Sequence, residues 1–375
     1  MAEVKLPNSL LKIGGFDGTI ALKEITFPDA LKEIGSGAFS DSGLSSINFG
    51  SGLKTIGRGA FLECRNVKSL TLPEGLETIG GYAFAGHNGY SYLYLPSTLI
   101  SVGERAFEHH SQSNDNYESL AGSIEILEVP TLELFTSIDW DNYSDIGTNP
   151  LIYTEDLRID GKSVTELVIP DNVTEINEWW ALTGWKNLKS IVIPSTIKSL
   201  IYHWGYPNKI EKITIEDSNQ PLQLNIRKYP TMDAYWTHIV ASYNLNIDNI
   251  YIGRNFTSDT QQMMGVDGLF EGSTVKEVMF GNDKTELLPN SFKDCKELTK
   301  ISFGHSITAI GESAFEGCSA LNEVVFPPML ETIGAKAFNG CPDLKYIAMG
   351  YNVKSIGEQA FGASTPEQVL ITAIT

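Results

Sequence analysis

Apolar residues recur along the chain in a short pattern that is typical of a β-strand. In Leu22-Lys23-Glu24-Ile25-Thr26-Phe27-Pro28, the side chains of Ile25 and Phe27 alternate with polar neighbours, which is the period of an extended strand. Leu22 lies one step earlier, where the chain enters the strand. Pro28 ends it, because proline has no N–H group for a sheet hydrogen bond. The pattern predicts a short strand that buries Ile25 and Phe27.

This strand pattern returns at a nearly constant interval. It ends in Pro or Gly at Pro28, Gly50, Pro73 and Pro96, and again at Gly281, Gly304, Pro327 and Gly350. The intervals are 22, 23 and 23 residues in the first group and 23 residues throughout the second. One repeat cannot bury its apolar residues alone, so stacked repeats about 4.8 Å apart must bury them against one another.

A second motif, I-G-x-x-A-F, lies inside each interval. In the first copy, Leu31 and Ile34 are predicted to face inward, Gly35 to mark a tight bend, and Ala38-Phe39 to form a short helical turn. The phenylalanines of successive copies should form one aligned column. The copies begin at Ile34, Ile56, Ile79, Val102, Ile310, Ile333 and Ile356.

The combined pattern closely resembles the BspA-like leucine-rich repeat family. Leu298-Thr299-Lys300-Ile301-Ser302-Phe303-Gly304, followed by Ile310-Gly311, Ala314-Phe315 and Cys318, is a near-ideal copy. The resemblance is specific over 22–107 and 275–361 and weaker over 108–274. It implies a right-handed solenoid with a parallel sheet on one face. It also implies a bacterial surface or secreted protein concerned with adhesion and protein–protein interaction.

Together these observations predict a leucine-rich repeat β-solenoid of about 14 coils of roughly 23 residues, with short helical or 3-10 turns. We expect a single domain over 1–375. Regular repeats are predicted in 1–107 and 275–375, and irregular, aromatic-rich repeats in 108–274. Insertions are expected near 108–122, 134–160 and 217–246.

The irregular part contains all the tryptophans of the chain. Aromatic enrichment of this kind is typical of a binding surface, but the rings can equally replace Phe in wider coils and cover the insertions. Both interpretations stay open at this point. The six residues are Trp140, Trp179, Trp180, Trp185, Trp204 and Trp236.

The strand residues that point outward predict where a partner binds. Two residues before each strand end, the outward row is polar at the two ends of the chain and apolar in the middle. An apolar stripe on an exposed sheet suggests an interaction surface, although β-branched and aromatic residues also simply suit strands. We predict that aromatic and apolar anchors bind the ligand and that an acidic rim steers a basic partner. The candidate ligand-binding residues are Tyr92, Tyr94, Ile126, Val168, Val192, Tyr251, Trp140 and Trp204.

The charge balance restricts the partners. The chain has 46 acidic and 27 basic residues, a net charge of -19, which argues against nucleic acid because phosphate binding needs clustered Lys and Arg. The sequence contains no run of eighteen apolar residues, and so it predicts no membrane-spanning helix. The N-terminus, Met1 to Pro7, has no apolar segment typical of a signal peptide. It therefore fits either an intracellular chain or a mature or trimmed one. We expect a monomer.

The cysteines and acidic residues of the chain match no recognisable catalytic or metal-binding motif. Three of the four cysteines, Cys295, Cys318 and Cys341, recur at intervals of 23, and with Cys64 they are predicted to be buried free thiols rather than disulfides or zinc ligands. The segment Asp139 to Asp145 only faintly resembles a calcium loop. We recognise no metalloprotease, serine-hydrolase or phosphate-loop motif and expect no catalytic residues, metal or cofactor.

Three functions are compatible with these observations. The first is a non-enzymatic binding or adhesion protein at the cell surface or secreted, which recognises a protein or glycan through its sheet face and central aromatic loops. The second is a structural spacer within a larger surface protein. The third is an enzyme with a site in the central insertions. Exposed face residues would favour the first, and loops covering them the second.

Overall fold

The computed structural model describes residues 4–108, 124–140, 150–176, 185–201, 209–225, 246–258, 268–364 and 366–371. The chain divides into two compact units. Unit 1 is formed by 1–164 with 179–187, and unit 2 by 165–178 with 188–375. That both units belong to one solenoid of about 14 coils stays a prediction.

In unit 1, nearly all the strand pairs are parallel, and the strands form a six-stranded, a five-stranded and a two-stranded sheet. We call the strands of the L-x-x-I-x-F pattern the face strands and the short strands at the I-G motif the Ile-Gly ladder. The face strands are Glu24–Thr26, Ser46–Asn48, Ser69–Thr71, Tyr92–Tyr94, Ile124–Val129 and Thr154–Ile159, with Lys162–Ser163 antiparallel to the last. The Ile-Gly ladder is Lys12–Ile13, Glu33–Ile34, Thr55–Ile56, Thr78–Ile79, Ser101–Val102 and Asp139–Trp140.

Unit 2 repeats the same two kinds of strand, which form four sheets here, and all of its strand pairs are parallel. Its face strands are Glu166–Val168, Ser190–Ile193, Ile210–Ile215, Ile247–Arg254, Glu277–Asp283, Lys300–Ser302, Glu323–Val325, Tyr346–Met349 and Gln368–Ile371. Its Ile-Gly ladder is Glu175–Ile176, Ser199–Ile201, Leu222–Asn225, Phe256–Ser258, Glu286–Leu287, Ala309–Ile310, Thr332–Ile333 and Ser355–Ile356.

The side chains predicted to face inward form the core of each unit. Ile25, Phe27, Leu31 and Ile34 are all buried in the first regular repeat. Successive repeats pair in register, so that Ile34 lies opposite Ile56 in the ladder. The described residues therefore confirm a leucine-rich repeat protein of stacked parallel strands with almost no helix.

The motif phenylalanines stack in one column within each unit. In unit 1, the rings of Phe39, Phe61 and Phe84 lie 5.4 and 5.3 Å apart, centroid to centroid, and are nearly parallel. Phe16, which belongs to no motif copy, extends this column by stacking on Phe39 at 5.2 Å. The predicted column is therefore confirmed. In unit 2 the column is Phe270, Phe292, Phe315, Phe338 and Phe361.

The A-F segments are turns that bond to the next repeat, and the short helical or 3-10 turns predicted from the sequence are not confirmed. Gly37 and Asp41 adopt left-handed backbone angles, with φ of 62° and 55°. As a result, the N–H groups of Gly37, Phe39 and Asp41 donate to the carbonyls of Arg58, Ala60 and Leu62 in the next repeat, at 2.7–2.8 Å. A helix would send them to carbonyls four residues earlier in the same segment. These bonds form a third connection between neighbouring repeats.

The glycine of the I-G motif is required because neighbouring repeats approach closely there. A Cβ atom added to Gly334 would lie 2.6 Å from the amide nitrogen of Glu312 in the preceding repeat, and one added to Gly57 would lie 2.6 Å from that of Ser36. Neither glycine has a positive φ. The predicted tight bend is thus a place of close contact between backbones.

The insertion predicted near 134–160 contains a strand that the sequence pattern missed. Thr154–Ile159 pairs with Ile124–Val129, and its Leu157 lies opposite Leu127. Asp160 directly follows this strand, at the position where the sequence pattern expects Pro or Gly, and Asp160 and Gly161 form a turn there. The same region holds the short helix Leu134–Ser137 and the 3-10 helix Pro150–Tyr153.

We expect Phe315→Ala to lower the free energy of unfolding by about 3–5 kcal/mol, because the ring is fully buried and its removal leaves a cavity. Phe361→Ala is the matched control, since Phe361 is only half-buried and stacks on one described neighbour. Chemical denaturation measures both. Equal stability losses would contradict the assigned column.

We expect Lys336→Gly to stabilise the protein by about 0.5–1 kcal/mol. The exposed Lys336 has a φ of 55°, a conformation that costs a non-glycine residue about 1–2 kcal/mol, offset in part by the greater chain entropy of glycine. Ala335→Gly, at a residue without a positive φ, should instead destabilise. A lower melting temperature for Lys336→Gly would contradict the proposed strain.

Candidate functional site

The first candidate surface lies on the face strands of unit 1. The strand Tyr92–Tyr94 buries Leu93 and therefore turns both tyrosines outward. Tyr94 lies opposite Glu128 of the next strand, and Ile126 precedes Glu128 on the same side of that strand. The structure thus brings Tyr92, Tyr94 and Ile126 together, as expected from their positions in the repeat.

Carboxylates of neighbouring repeats hold the two tyrosines. The Tyr92 hydroxyl donates to the Glu128 carboxylate at 2.9 Å, and the Tyr94 hydroxyl donates to that of Glu74 at 2.7 Å. Glu74 also accepts from the Ser97 hydroxyl at 2.8 Å. We call Tyr92, Tyr94, Ile126, Glu74 and Glu128 the tyrosine patch. Its rings are fixed by hydrogen bonds to carboxylates on both sides.

The tyrosine patch keeps neutral phenols beside negative carboxylates. Burial, reinforced by the hydrogen bond to Glu128, raises the pKa of Tyr92 to about 12, and burial with the bond to Glu74 raises the pKa of Tyr94. Burial acts to raise the pKa of Glu74, but the bonds from Tyr94 and Ser97 outweigh it and lower that pKa. The phenols therefore remain hydrogen-bond donors at neutral pH, and the carboxylates carry the charge of the patch.

The second candidate surface lies on the face strands of unit 2. Val168, Val192, Thr214, Tyr251 and Met279 occupy one register across five neighbouring strands. We call these five residues the apolar row. Val168 is 48% exposed and Met279 is 50% exposed. Large apolar side chains thus remain open on this face.

In the three-stranded sheet of unit 2 formed by Glu323–Val325, Tyr346–Met349 and Gln368–Ile371, the residues at the outward positions differ in exposure. Val325 is 49% exposed, but Ala348, which pairs with it and was also expected to point outward, is only 6% exposed. Its methyl group lies between the larger Val325 and Leu370 in the same register. The register was predicted correctly, but the accessibility of Ala348 was not.

Tyr251 in the apolar row is held in the same way as the tyrosines of unit 1. Its hydroxyl donates to Asp217 at 2.5 Å, and burial together with this bond raises the pKa of Tyr251 to about 12. Sequence reasoning missed Glu74 and Asp217 as partners. Both follow a strand-ending residue directly, Pro73 and Glu216, and an acidic residue at that place is the signal that would have revealed them.

The predicted tryptophans do not join these surfaces where they are described. Trp140 lies in the Ile-Gly ladder opposite Val102, and its indole N–H donates to the Phe135 carbonyl at 3.0 Å. Trp185 is buried and donates to the Leu151 carbonyl at 3.1 Å. These two rings fill space in unit 1. Trp179, Trp180, Trp204 and Trp236 lie outside the described residues, as do 141–145 of the suggested calcium loop.

The cysteines are buried free thiols, as predicted, and they also act as hydrogen-bond donors. The Sγ atom of Cys318 donates to the Phe292 carbonyl of the preceding repeat at 3.2 Å, and Ser364 donates in the same way to Phe338 at 2.8 Å. Burial raises the pKa of Cys295 to about 11 and that of Cys341 to about 12. These thiols therefore link repeats and are poor nucleophiles.

Two buried cations in unit 2 are also structural. The Arg254 guanidinium donates to the carbonyls of Ile197 and Pro194 at 2.7 and 2.9 Å. Lys284 is 1% exposed and its Nζ lies 4.8 Å from the Phe256 ring centroid. It occupies the position that Leu330 fills two repeats later. Burial lowers the pKa of Lys284 to about 8, but the amine is closed off from any substrate.

Within the described ranges, no group of three or more His, Cys, Asp or Glu side chains is arranged to hold a metal ion. In the same part of the chain, no helix has the length and apolar character needed to cross a membrane.

The fold defines a class of protein: a repeat protein of stacked parallel strands. A family model described as the BspA type leucine rich repeat region matches residues 1–114, 159–226 and 243–367 in six copies. The match covers most of the chain, and the chain belongs to this family. The resemblance expected from the sequence is confirmed.

One solved structure supports the same fold. A leucine-rich repeat protein from Bacteroides ovatus ATCC 8483 is 22% identical, with a TM-score of 0.53, and the match covers 94% of this chain and 80% of that one. A second, from Eubacterium ventriosum ATCC 27560, is 20% identical over 90% of this chain and 83% of that one, but its TM-score of 0.40 is too low to support an argument. No curated protein matches the sequence.

We expect Lys284→Met to stabilise the protein at pH 7 by about 1–3 kcal/mol. The lysine is charged in both states below pH 8, and only the folded state pays for burying that charge, less the attraction to Phe256. As the pH rises from about 8 to 10.5, the folded lysine is neutral while the unfolded one stays charged, so wild-type stability rises. The stability gain of the variant should therefore shrink over that pH range.

Urea denaturation at pH 7 and pH 10 measures this gain, and Leu330→Met is the matched control. A pH-independent difference would contradict the burial of a charged lysine.

Proposed function

We propose that this protein is a monomeric, non-enzymatic binding protein of the cell surface or secreted from the cell, which recognises a protein or glycan through its sheet faces. The observation that carries the proposal is the exposure of Val168, Met279 and Val325, each about half open to solvent. Exposed apolar side chains on a sheet are typical of interaction surfaces, and Val168 and Met279 lie in one register. The surface or extracellular location is supported by family membership.

The spacer hypothesis is less well supported by this face. A spacer requires only that the repeats stack, and polar outward residues such as Thr26 and Asn48 would satisfy that requirement everywhere. Val168 and Met279 add exposed apolar area without adding to the core. A partner that covers them explains their presence, because burial of apolar area stabilises a complex.

We expect the triple variant Val168→Ser, Met279→Ser, Val325→Ser to lose at least about tenfold in affinity, equivalent to 1.4 kcal/mol, for the partner it binds. The measurement is surface plasmon resonance against a panel of purified extracellular matrix proteins and immobilised glycans. The variant should keep the wild-type melting temperature, because these side chains are exposed.

The matched control changes apolar residues of similar exposure that lie outside the face strands. Ile20, Ile100 and Met329 are 74%, 59% and 53% exposed, and their triple change to Ser should leave binding intact. Equal affinity losses in the two variants would overturn the assignment to the face. Absence of binding to every member of the panel would count against recognition of matrix proteins and glycans.

A further inference from the structure

The tyrosine patch combines three features that together select a ligand chemistry. Tyr92 and Tyr94 lie on the same side of one strand, two residues apart. Glu74 and Glu128, which belong to the preceding and following face strands or their ends, flank the rings. Ile126 adds an apolar surface beside them. We propose, building on the proposed function, that the tyrosine patch binds Lys or Arg side chains of an extended basic segment in a partner protein.

Electrostatics supports a cation as the occupant. An ammonium or guanidinium group is attracted to the face of a tyrosine ring and to carboxylates, and the patch supplies both. The nearby Arg158 does not reverse the sign, because its Nε donates to Asp156 at 2.7 Å. The four charged groups Glu74, Glu128, Asp156 and Arg158 sum to two negative charges, within a chain of net charge -19.

The carboxylates keep bonding capacity for a ligand. Each ionised carboxylate has about four lone-pair positions. Glu128 accepts bonds from the Tyr92 hydroxyl and the Gly161 N–H. Glu74 accepts from the Tyr94 hydroxyl and from the hydroxyl and N–H of Ser97. An incoming cation can therefore bind without breaking the bonds that hold the rings.

The hydrogen bonds also reduce the cost of binding. A tyrosine with a fixed hydroxyl has already lost much of its rotational freedom, so less entropy is lost when a ligand covers it. Alternate residues on a strand are about 6.6–6.8 Å apart, and Tyr92 and Tyr94 have that spacing in sequence. An extended peptide with basic residues at alternate positions has the same spacing and can place one cation over each ring.

The test uses the full chain and a labelled peptide, Gly-Arg-Gly-Arg-Gly-Arg-Gly, measured by fluorescence polarisation at low salt. A peptide with citrulline at each arginine position keeps the shape and most hydrogen-bonding groups but lacks the charge. We expect the arginine peptide to bind at least tenfold more tightly than the citrulline peptide. Equal affinity for the two peptides would overturn the proposal.

Variants distinguish the patch from general attraction to an acidic protein. Tyr92→Leu with Tyr94→Leu removes the rings without changing the charge, and Glu128→Gln removes one charge. Each should weaken binding of the arginine peptide at least fivefold. Tyr351→Leu and Glu323→Gln are the matched controls, since both residues are exposed in unit 2, and they should leave binding unchanged. Equal losses in the control and patch variants would show non-specific attraction and overturn the site.

The same experiment separates this proposal from the proposed function. The triple change in Val168, Met279 and Val325 should not affect peptide binding. If the peptide fails to bind while that triple variant still loses its partner in the panel, the cationic chemistry is wrong and the binding function stands. If a neutral oligosaccharide such as chitotetraose binds in place of the peptide and is lost with Tyr92→Leu and Tyr94→Leu, the patch is a glycan site and the proposal fails.

Discussion

The structure depends on one constraint: each repeat must place its apolar residues directly over those of its neighbours. A single repeat of about 23 residues cannot enclose a core, so all burial comes from stacking. The nearly parallel rings of Phe292, Phe315 and Phe338 show how closely this register is kept. The same register explains Gly334, where a side chain would separate two backbones, and Cys318, whose thiol bonds to the preceding repeat.

Residues outside the stacked positions do not have to match those of the neighbouring repeats, and the outward side chains of the two units differ. Unit 1 carries two neighbouring tyrosines tethered by acidic residues, whereas unit 2 combines one such tyrosine, Tyr251, with exposed apolar side chains such as Val168. The tethers still depend on the register, because Tyr94 reaches Glu74 only when successive repeats are aligned. Surface chemistry in this protein is therefore assembled from neighbouring repeats, so a single repeat carries only part of either surface.

Much of the fold could be predicted from the sequence because identical residues recur at one interval. The inward rows, the phenylalanine column and the free thiols follow from that periodicity alone. The bonds from the A-F turns to the next repeat could not be predicted, because a left-handed residue such as Asp41 or Lys336 leaves no clear sequence signal when it is not glycine. Thr154–Ile159 was missed because it ends without the usual Pro or Gly. The outward position of Tyr92 and Tyr94 was predictable, but their partners were not, since Glu74 and Glu128 lie 20 and 36 residues away.

The buried cations show how the strands of the apolar row are held. Arg254 ends the strand that carries Tyr251, and Lys284 follows the strand that carries Met279. Arg254 bonds to the carbonyls of Pro194 and Ile197, which follow the strand that carries Val192, and so it links the segments at the ends of two of these strands. A buried charge costs stability where an apolar side chain would not, and Lys284 occupies a position that elsewhere holds Leu, Ile or Val. Because repeat proteins distribute stability over many interfaces, the regular repeats can offset that local cost. Most strands of the apolar row, from the one that carries Val168 to the one that carries Tyr251, thus lie in the irregular repeats together with the buried Arg254, and a functional surface is expected to depart from the ideal repeat.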